Sequence, residues 1–251
     1  MEYVAVFILG LILGSFYNVL IYRLPRNVSV VFPSSHCPQC KERIKWYDNI
    51  PLLSYVLLRG RCRNCGTKIS IQYPLVELSS ALLGVLSLYR WGFSVDALVL
   101  YFFFSALLIL SLIDLKFFIL PDILTIPGIL LGLASSFFRE GITLQESLLG
   151  AFVGFLVPLS IYLYYVKVRK IEGLGFGDVK LLSMIGAVTG VYGVFSALFL
   201  GSFFGLLFAL PSILKNRNVQ FVIPFGPFLS LGCFVGVVFK GKLLEFILPP
   251  L

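Results

Sequence analysis

The sequence predicts an all-α polytopic membrane protein of about eight transmembrane helices, with its N-terminus outside and a small zinc-ribbon-like loop domain in the cytoplasm. Three observations carry this reading. Hydrophobic residues make up 59% of the 251 and charged residues 13%, too little polar surface to coat a water-soluble globule. Apolar runs recur along the chain, several of them near the roughly 20 residues a helix needs to cross a bilayer core. The Lys and Arg residues lie between those runs and favour alternate loops, as expected of cytoplasmic segments.

The first run, Val4 to Tyr22, is followed by Arg23 and Arg26 and preceded by Glu2. A cleaved signal peptide has the opposite charge order and a small-residue cleavage site, so an uncleaved first span is expected. Further spans are read at about 75–91, 95–113, 121–138, 145–166, 179–192, 194–213 and 221–239, with boundaries good to about four residues. The stretch from Asp178 to Leu214 is long enough for two crossings and is interrupted near Gly190 and Gly193.

With the N-terminus outside, the 23–74 loop is inside and holds Arg23, Arg26, Lys41, Arg43, Lys45, Arg59, Arg61, Arg63 and Lys68. Lys116, Lys167, Arg169, Lys170, Lys180, Lys215 and Arg217 also fall inside. Only Arg90, Arg139, Lys240 and Lys242 fall outside. Removing one span would mix the later charges, so the bias supports the span count as well as the orientation. The same distribution accounts for the net charge of +8 without a nucleic-acid partner, which would need the cations gathered into one free patch. The organisation expected is a first span at 1–22, a cytoplasmic four-cysteine loop domain at 23–74 and a seven-span membrane domain at 75–251. No repeat, low-complexity segment or flexible linker is evident.

The loop carries Cys37-Pro-Gln-Cys40 and Cys62-Arg-Asn-Cys65. Two such knuckles can place four thiolates tetrahedrally around one zinc ion and leave no open position, which marks a structural site. Paired disulfides are disfavoured in a reducing cytoplasm, and a redox-active pair needs one motif at a helix start, not two. So small a loop has little core, and metal binding would supply much of its folding free energy. His36, the only histidine, adjoins the first knuckle; it is read as a solvated loop residue, with ligation as the alternative. Cys233, in the last span, reads as a small buried apolar residue.

Ionisable residues at the edges of spans are candidates for function. Asp114 ends the third span, Asp122 opens the fourth and Asp178 opens the sixth after a glycine-rich segment from Gly173 to Gly177. Between Asp114 and Asp178 the chain goes out once and returns once, so both lie at the cytoplasmic edge. Two adjacent carboxylates share a proton. The ionised one can activate water, and the protonated one can polarise a carbonyl and protonate a leaving amine. Each aspartate also has a structural alternative: Asp122 and Asp178 as N-caps, and Asp114 as the partner of Lys116 or Lys180.

Four segments together resemble the bacterial type IV prepilin peptidases, also called prepilin leader peptidase/N-methyltransferases. They are Gly14-Ser15-Phe16-Tyr17-Asn18-Val19 with Tyr22-Arg23-Leu24-Pro25; the knuckles with Asn49-Ile50-Pro51-Leu52-Leu53-Ser54-Tyr55 and Tyr73-Pro74-Leu75-Val76-Glu77; Asp114 through Leu120-Pro121-Asp122 to Thr125; and Gly175-Phe176-Gly177-Asp178-Val179-Lys180-Leu181-Leu182. The likeness covers most of residues 10–190. It departs from the common pattern at Tyr17, where leucine is usual. The resemblance implies a Gly-x-Gly-Asp intramembrane aspartyl protease of the bacterial cytoplasmic membrane, with Asp114 and Asp178 catalytic and Asp122 in reserve. Its implied substrates are type IV prepilins or type II secretion pseudopilins, cut behind a short basic leader at the cytoplasmic face. It further implies methylation of the new N-terminal residue from S-adenosylmethionine, although no glycine-rich cofactor loop places that site.

Rival readings are a protease without methyl transfer, an ion-coupled transporter and a non-enzymatic anchor for the metal loop. A transporter predicts inverted repeats and broken helices at mid-membrane, and an anchor leaves the Gly-x-Gly-Asp segment unexplained.

Overall fold

Glycines four residues apart let two long helices approach closely, and that spacing builds the first half of the chain. In a computed structural model, which describes residues 1–170, 174–215 and 223–240, α1 (Glu2–Arg23) packs antiparallel on α3 (Gln72–Trp91). A Cβ placed on Gly10 would lie 2.6 Å from the Ala81 Cα, and one on Gly14 would lie 2.6 Å from the Glu77 Cα. One turn on, the Asn18 side-chain amide donates to the Tyr73 carbonyl at 3.1 Å. Gly10 with Ala81, Gly14 with Glu77 and Asn18 with Tyr73 fix one register. The contact is the small-residue packing that membrane helices use when water supplies no driving force between them.

The chain forms two compact units, Met1–Ala97 and Leu98–Leu251. In the first, the segment between α1 and α3 holds a short helix α2 (Leu53–Leu57) and two knuckles of matching construction. Cys37 N–H donates to the Glu42 carbonyl and Lys41 N–H to the Cys37 carbonyl, both at 2.9 Å. At the same offsets Cys62 N–H donates to Thr67 at 2.8 Å and Gly66 N–H to Cys62 at 3.0 Å. Isolated β-bridges join His36 to Arg43 and Arg61 to Lys68. Residues 35–44 and 60–69 are therefore a structural repeat. In the sequence only the cysteines and Ile44/Ile69 coincide, which is why no repeat is evident there.

In the second unit α4 (Val95–Phe117) ends where Phe118 takes a left-handed backbone, φ 55°. Helix α5 (Asp122–Ser135) follows. A capping box between Thr143 and Glu146 starts α6 (Leu144–Leu163), which continues into a wider π-helical turn at Tyr164–Arg169. The long helical stretch α7 (Phe176–Lys215) is interrupted at Gly190, with φ 69° and ψ −171°.

Its two arms fold back on each other. A Cβ on Gly154 would meet the backbone of Leu182 and also the Val194 side chain, yet twelve residues of continuous helix would hold those two about 18 Å apart. Against Gly150 the backbones of Gly186 and Gly190 both approach too closely for any side chain. The first arm thus runs antiparallel to α6 and the second parallel to it. The Arg139 guanidinium donates to the Val188 carbonyl at the reversal, 2.7 Å, where a helix end leaves carbonyls without intrahelical partners. Helix α8 (Gly226–Val238) runs antiparallel to the second arm, with Gly201 against Leu229 and Gly236 against Ser196.

Among the described residues there is no strand, and four helices are long and apolar enough to cross a membrane: Glu2–Arg26, Val95–Phe117, Leu144–Arg169 and Phe176–Pro211. Shorter apolar helices occupy Asp122–Ser135 and Gly226–Val238. Gly173, Arg217, Lys242 and the first two residues of the expected 221–239 span lie outside the described residues.

Candidate active site and metal centre

Each of the two aspartates is held by a helix N-terminus. Asp178 is the third residue of α7. Its Oδ2 accepts from Gly175 N–H at 3.2 Å, while Asp178 N–H donates back to the Gly175 carbonyl at 3.0 Å. This is the N3 half of a capping box, with a glycine that has no side chain to return the bond, so Asp178 caps from the first turn and not from the N-cap position. Asp114 lies in the last turn of α4, and its Oδ2 accepts from the N–H of Gly226, the first residue of α8, at 3.0 Å. Both carboxylates are buried, Asp114 to 5% exposure and Asp178 to 8%. The positive ends of two helix dipoles favour negative charge there.

Leu120 brings the two anchors together. Its side chain packs against Gly177, beside Asp178, and against Gly226, the amide that holds Asp114; Cβ atoms added at these glycines would lie 3.1 and 3.3 Å from Leu120 atoms. The Asp114 carboxylate is close enough for its charge to be felt at Asp178. Among the described residues, the backbone amides engage Oδ2 of each carboxylate. Paired carboxylates in one buried place are the equipment for general acid–base chemistry.

Asp122 takes a different position. It is the first residue of α5, and its carboxylate is ion-paired with Lys180 on α7. That pairing answers the structural alternatives: Lys180 goes to Asp122 and not to Asp114, and Pro121, not Asp122, occupies the N-cap. Sequence reasoning quoted Leu120 in the Leu120-Pro121-Asp122 segment without giving it a role, and did not single out Gly226. Gly226-Pro227 opening the final apolar run was the available signal, since proline is favoured in the first turn of a helix. Nothing in such a run says that its first amide meets an aspartate 112 residues away.

In the first unit the sulfurs of Cys37, Cys40, Cys62 and Cys65 all lie within 4.8 Å of one another. A tetrahedron with metal–sulfur bonds of about 2.3 Å has edges of about 3.8 Å, and the Cys37–Cys65 sulfur separation is 3.8 Å. Charge also fits a cation. Hydrogen bonds from the Thr67 side chain and amide draw the Cys65 thiol down to about 6. At Cys40 a bond from the Glu42 amide pulls downward, but desolvation and the other three sulfurs outweigh it and push the thiol up to about 11. A positive ion among the four sulfurs would offset the repulsion between their thiolates. Asp48 braces the second knuckle through a forked ion pair with Arg63, 2.6–3.0 Å, which holds its carboxyl below the usual range. His36 Nδ1 contacts the Ser34 carbonyl at 3.0 Å and is not part of the sulfur cluster.

Four membrane-length apolar helices among the described residues define the class as an integral membrane protein. Comparison with known proteins supplies the family. Residues 8–91 match the bacterial peptidase A24 N-terminal domain, and residues 101–210 match the type IV leader peptidase family. A prepilin leader peptidase/N-methyltransferase of Pseudomonas putida is 37% identical, over 94% of this chain and 90% of its own. One of the same name from Xanthomonas campestris pv. campestris is also 37% identical, over 93% and 90%. The type 4 prepilin-like proteins leader peptide-processing enzyme of Escherichia coli is 37% identical, over 89% and 88%. No solved structure matches the chain. The chain belongs to the type IV leader peptidase family.

Proposed function

We infer that this chain is a bifunctional membrane enzyme that removes the leader peptide from type IV prepilins or type II secretion pseudopilins and methylates the N-terminus it exposes. The observation that carries the peptidase reading is the pair of buried carboxylates, Asp114 and Asp178, each fixed by the first amides of a different helix and joined through Leu120. One carboxylate takes a proton from water as the water oxygen bonds to the scissile carbonyl carbon. The other, protonated, donates a hydrogen bond to the carbonyl oxygen. Collapse of the tetrahedral intermediate breaks the C–N bond, and the leaving amine takes up a proton from the dyad. The mechanism needs one proton between the two groups.

S-adenosylmethionine supplies the methyl group in the second activity. Zinc is the metal that four thiolates at tetrahedral spacing suit best, in a closed, structural role. The 23–74 loop is then a cytoplasmic zinc-ribbon-like domain and residues 75–251 the membrane domain. Counting α1, α3, α4, α5, α6, both arms of α7 and α8 supports eight spans. The excess of Lys and Arg on alternate loops supports an external N-terminus and a dyad facing the cytoplasm, in the bacterial inner membrane.

The test is purified protein with a prepilin and labelled S-adenosylmethionine. Release of the leader with label on the new N-terminus is the expected result. Leader release without label would leave the peptidase alone, and neither product from folded protein would overturn the reading.

A further inference from the structure

The proposed chemistry gives Asp122 no work, yet Asp122 is tied to the turn that carries Asp178. We propose that Asp122 is a positioning residue: its ion pair with Lys180 clamps the first turn of α7 to the start of α5 and so holds the Asp178 carboxylate in line with Asp114. The inference rests on the assignment of those two aspartates as the dyad.

The turn needs such a clamp because of its sequence. Gly175 and Gly177 flank Phe176 just before Asp178, and glycine backbones are costly to hold in one conformation. The Gly175–Asp178 bonds fix the shape of the turn but not its placement in the unit. Placement comes from two sides. Leu120 packs on Gly177. Lys180 lies two residues beyond Asp178, about 200° around the helix, so it grips a flank other than the one that carries the carboxylate.

The Lys180 ammonium is also built into its surroundings. It sits 5.4 Å from the centre of the Phe176 ring, and that ring meets Tyr162 of α6 at 5.7 Å. Lys180 thereby joins α5, the first turn of α7 and, through Phe176, α6. Its partner Asp122 is at the N-terminus of α5, where a carboxylate is favoured. Only 18% of the Lys180 side chain is exposed, against 58% for Asp122. An ion pair this accessible adds little to folding stability. Reaction rate is more sensitive, because a misplacement of about 1 Å at a reacting group can cost on the order of 100-fold.

The experiment measures prepilin cleavage by the full-length chain carrying Asp122→Asn, Lys180→Gln, Asp122→Glu or the exchanged pair Asp122→Lys with Lys180→Asp, beside wild type and Asp178→Asn. Each single neutralisation is expected to lower kcat by about 10- to 100-fold with KM within about 2-fold, as loss of alignment without loss of binding predicts. Asp122→Glu and the exchanged pair should recover most of the rate. A thermal melt of each variant confirms folding, and Asp122→Glu against wild type still tests the clamp if a neutralised variant fails to fold: a rate reduced as far as that of Asp178→Asn overturns it. Full activity in Asp122→Asn, a loss confined to KM, or an exchanged pair no better than the single changes would also overturn it. If Asp178→Asn is inactive in the same assay, the dyad reading survives that outcome. If Asp178→Asn keeps wild-type activity, the dyad itself has failed.

Discussion

The first amide of α8, Gly226 N–H, donates to Oδ2 of Asp114 at 3.0 Å and joins two points 112 residues apart in the chain. A Cβ at Gly226 would lie 2.8 Å from that same oxygen and 3.3 Å from the Asp114 Cγ. Only glycine lets the helix end come so close. Gly226→Ala is expected to displace the carboxylate and lower the cleavage rate by about 10- to 100-fold, with the metal content unchanged. A steady-state assay beside metal analysis checks this, and a wild-type rate would show that the contact is dispensable.

Gly190 makes the reversal inside α7. Its φ of 69° with ψ −171° falls in a region that is essentially restricted to glycine, where other residues cost on the order of 1–3 kcal/mol. Gly190→Ala should lower the thermal unfolding temperature in detergent. Unchanged melting would mean that the two arms turn without that conformation.

The four sulfurs form one centre, so loss of any one should be felt by all. Cys62→Ser is expected to drop bound zinc from about one per chain to well below that, and to open residues 27–71 to limited proteolysis. Metal content is the readout. Zinc retained at the wild-type level would refute the assignment of Cys62 as a ligand.

The all-helical, apolar architecture, the clustering of the four cysteines and the place of Asp114 and Asp178 at helix ends were legible because each leaves a local signal: apolar length, paired cysteines, and a carboxylate at the edge of an apolar run. The break near Gly190 was legible too, since glycines interrupt the longest run. The partners were not legible. Asp178 was open to reading as an N-cap, because a cap and a first-turn carboxylate differ by a shift of three residues after a glycine loop. Lys180 had three aspartates within sequence reach, and only the packing of α5 beside α7 selects Asp122. Gly226 looked like one more small residue in an apolar helix, since its role depends on where α4 ends. The repeat in the knuckles is carried by backbone hydrogen bonds, which Lys41 and Gly66 both satisfy with positive φ despite their different side chains.

The measurement that tests the account most directly is prepilin cleavage by Asp114→Asn and Asp178→Asn. Each change keeps the shape and one oxygen to accept its helix amide, and removes the carboxylate chemistry. Each variant, folded and metal-loaded, is expected to lose on the order of 10²- to 10⁴-fold in cleavage rate. Cleavage at the wild-type rate by either one would contradict the dyad.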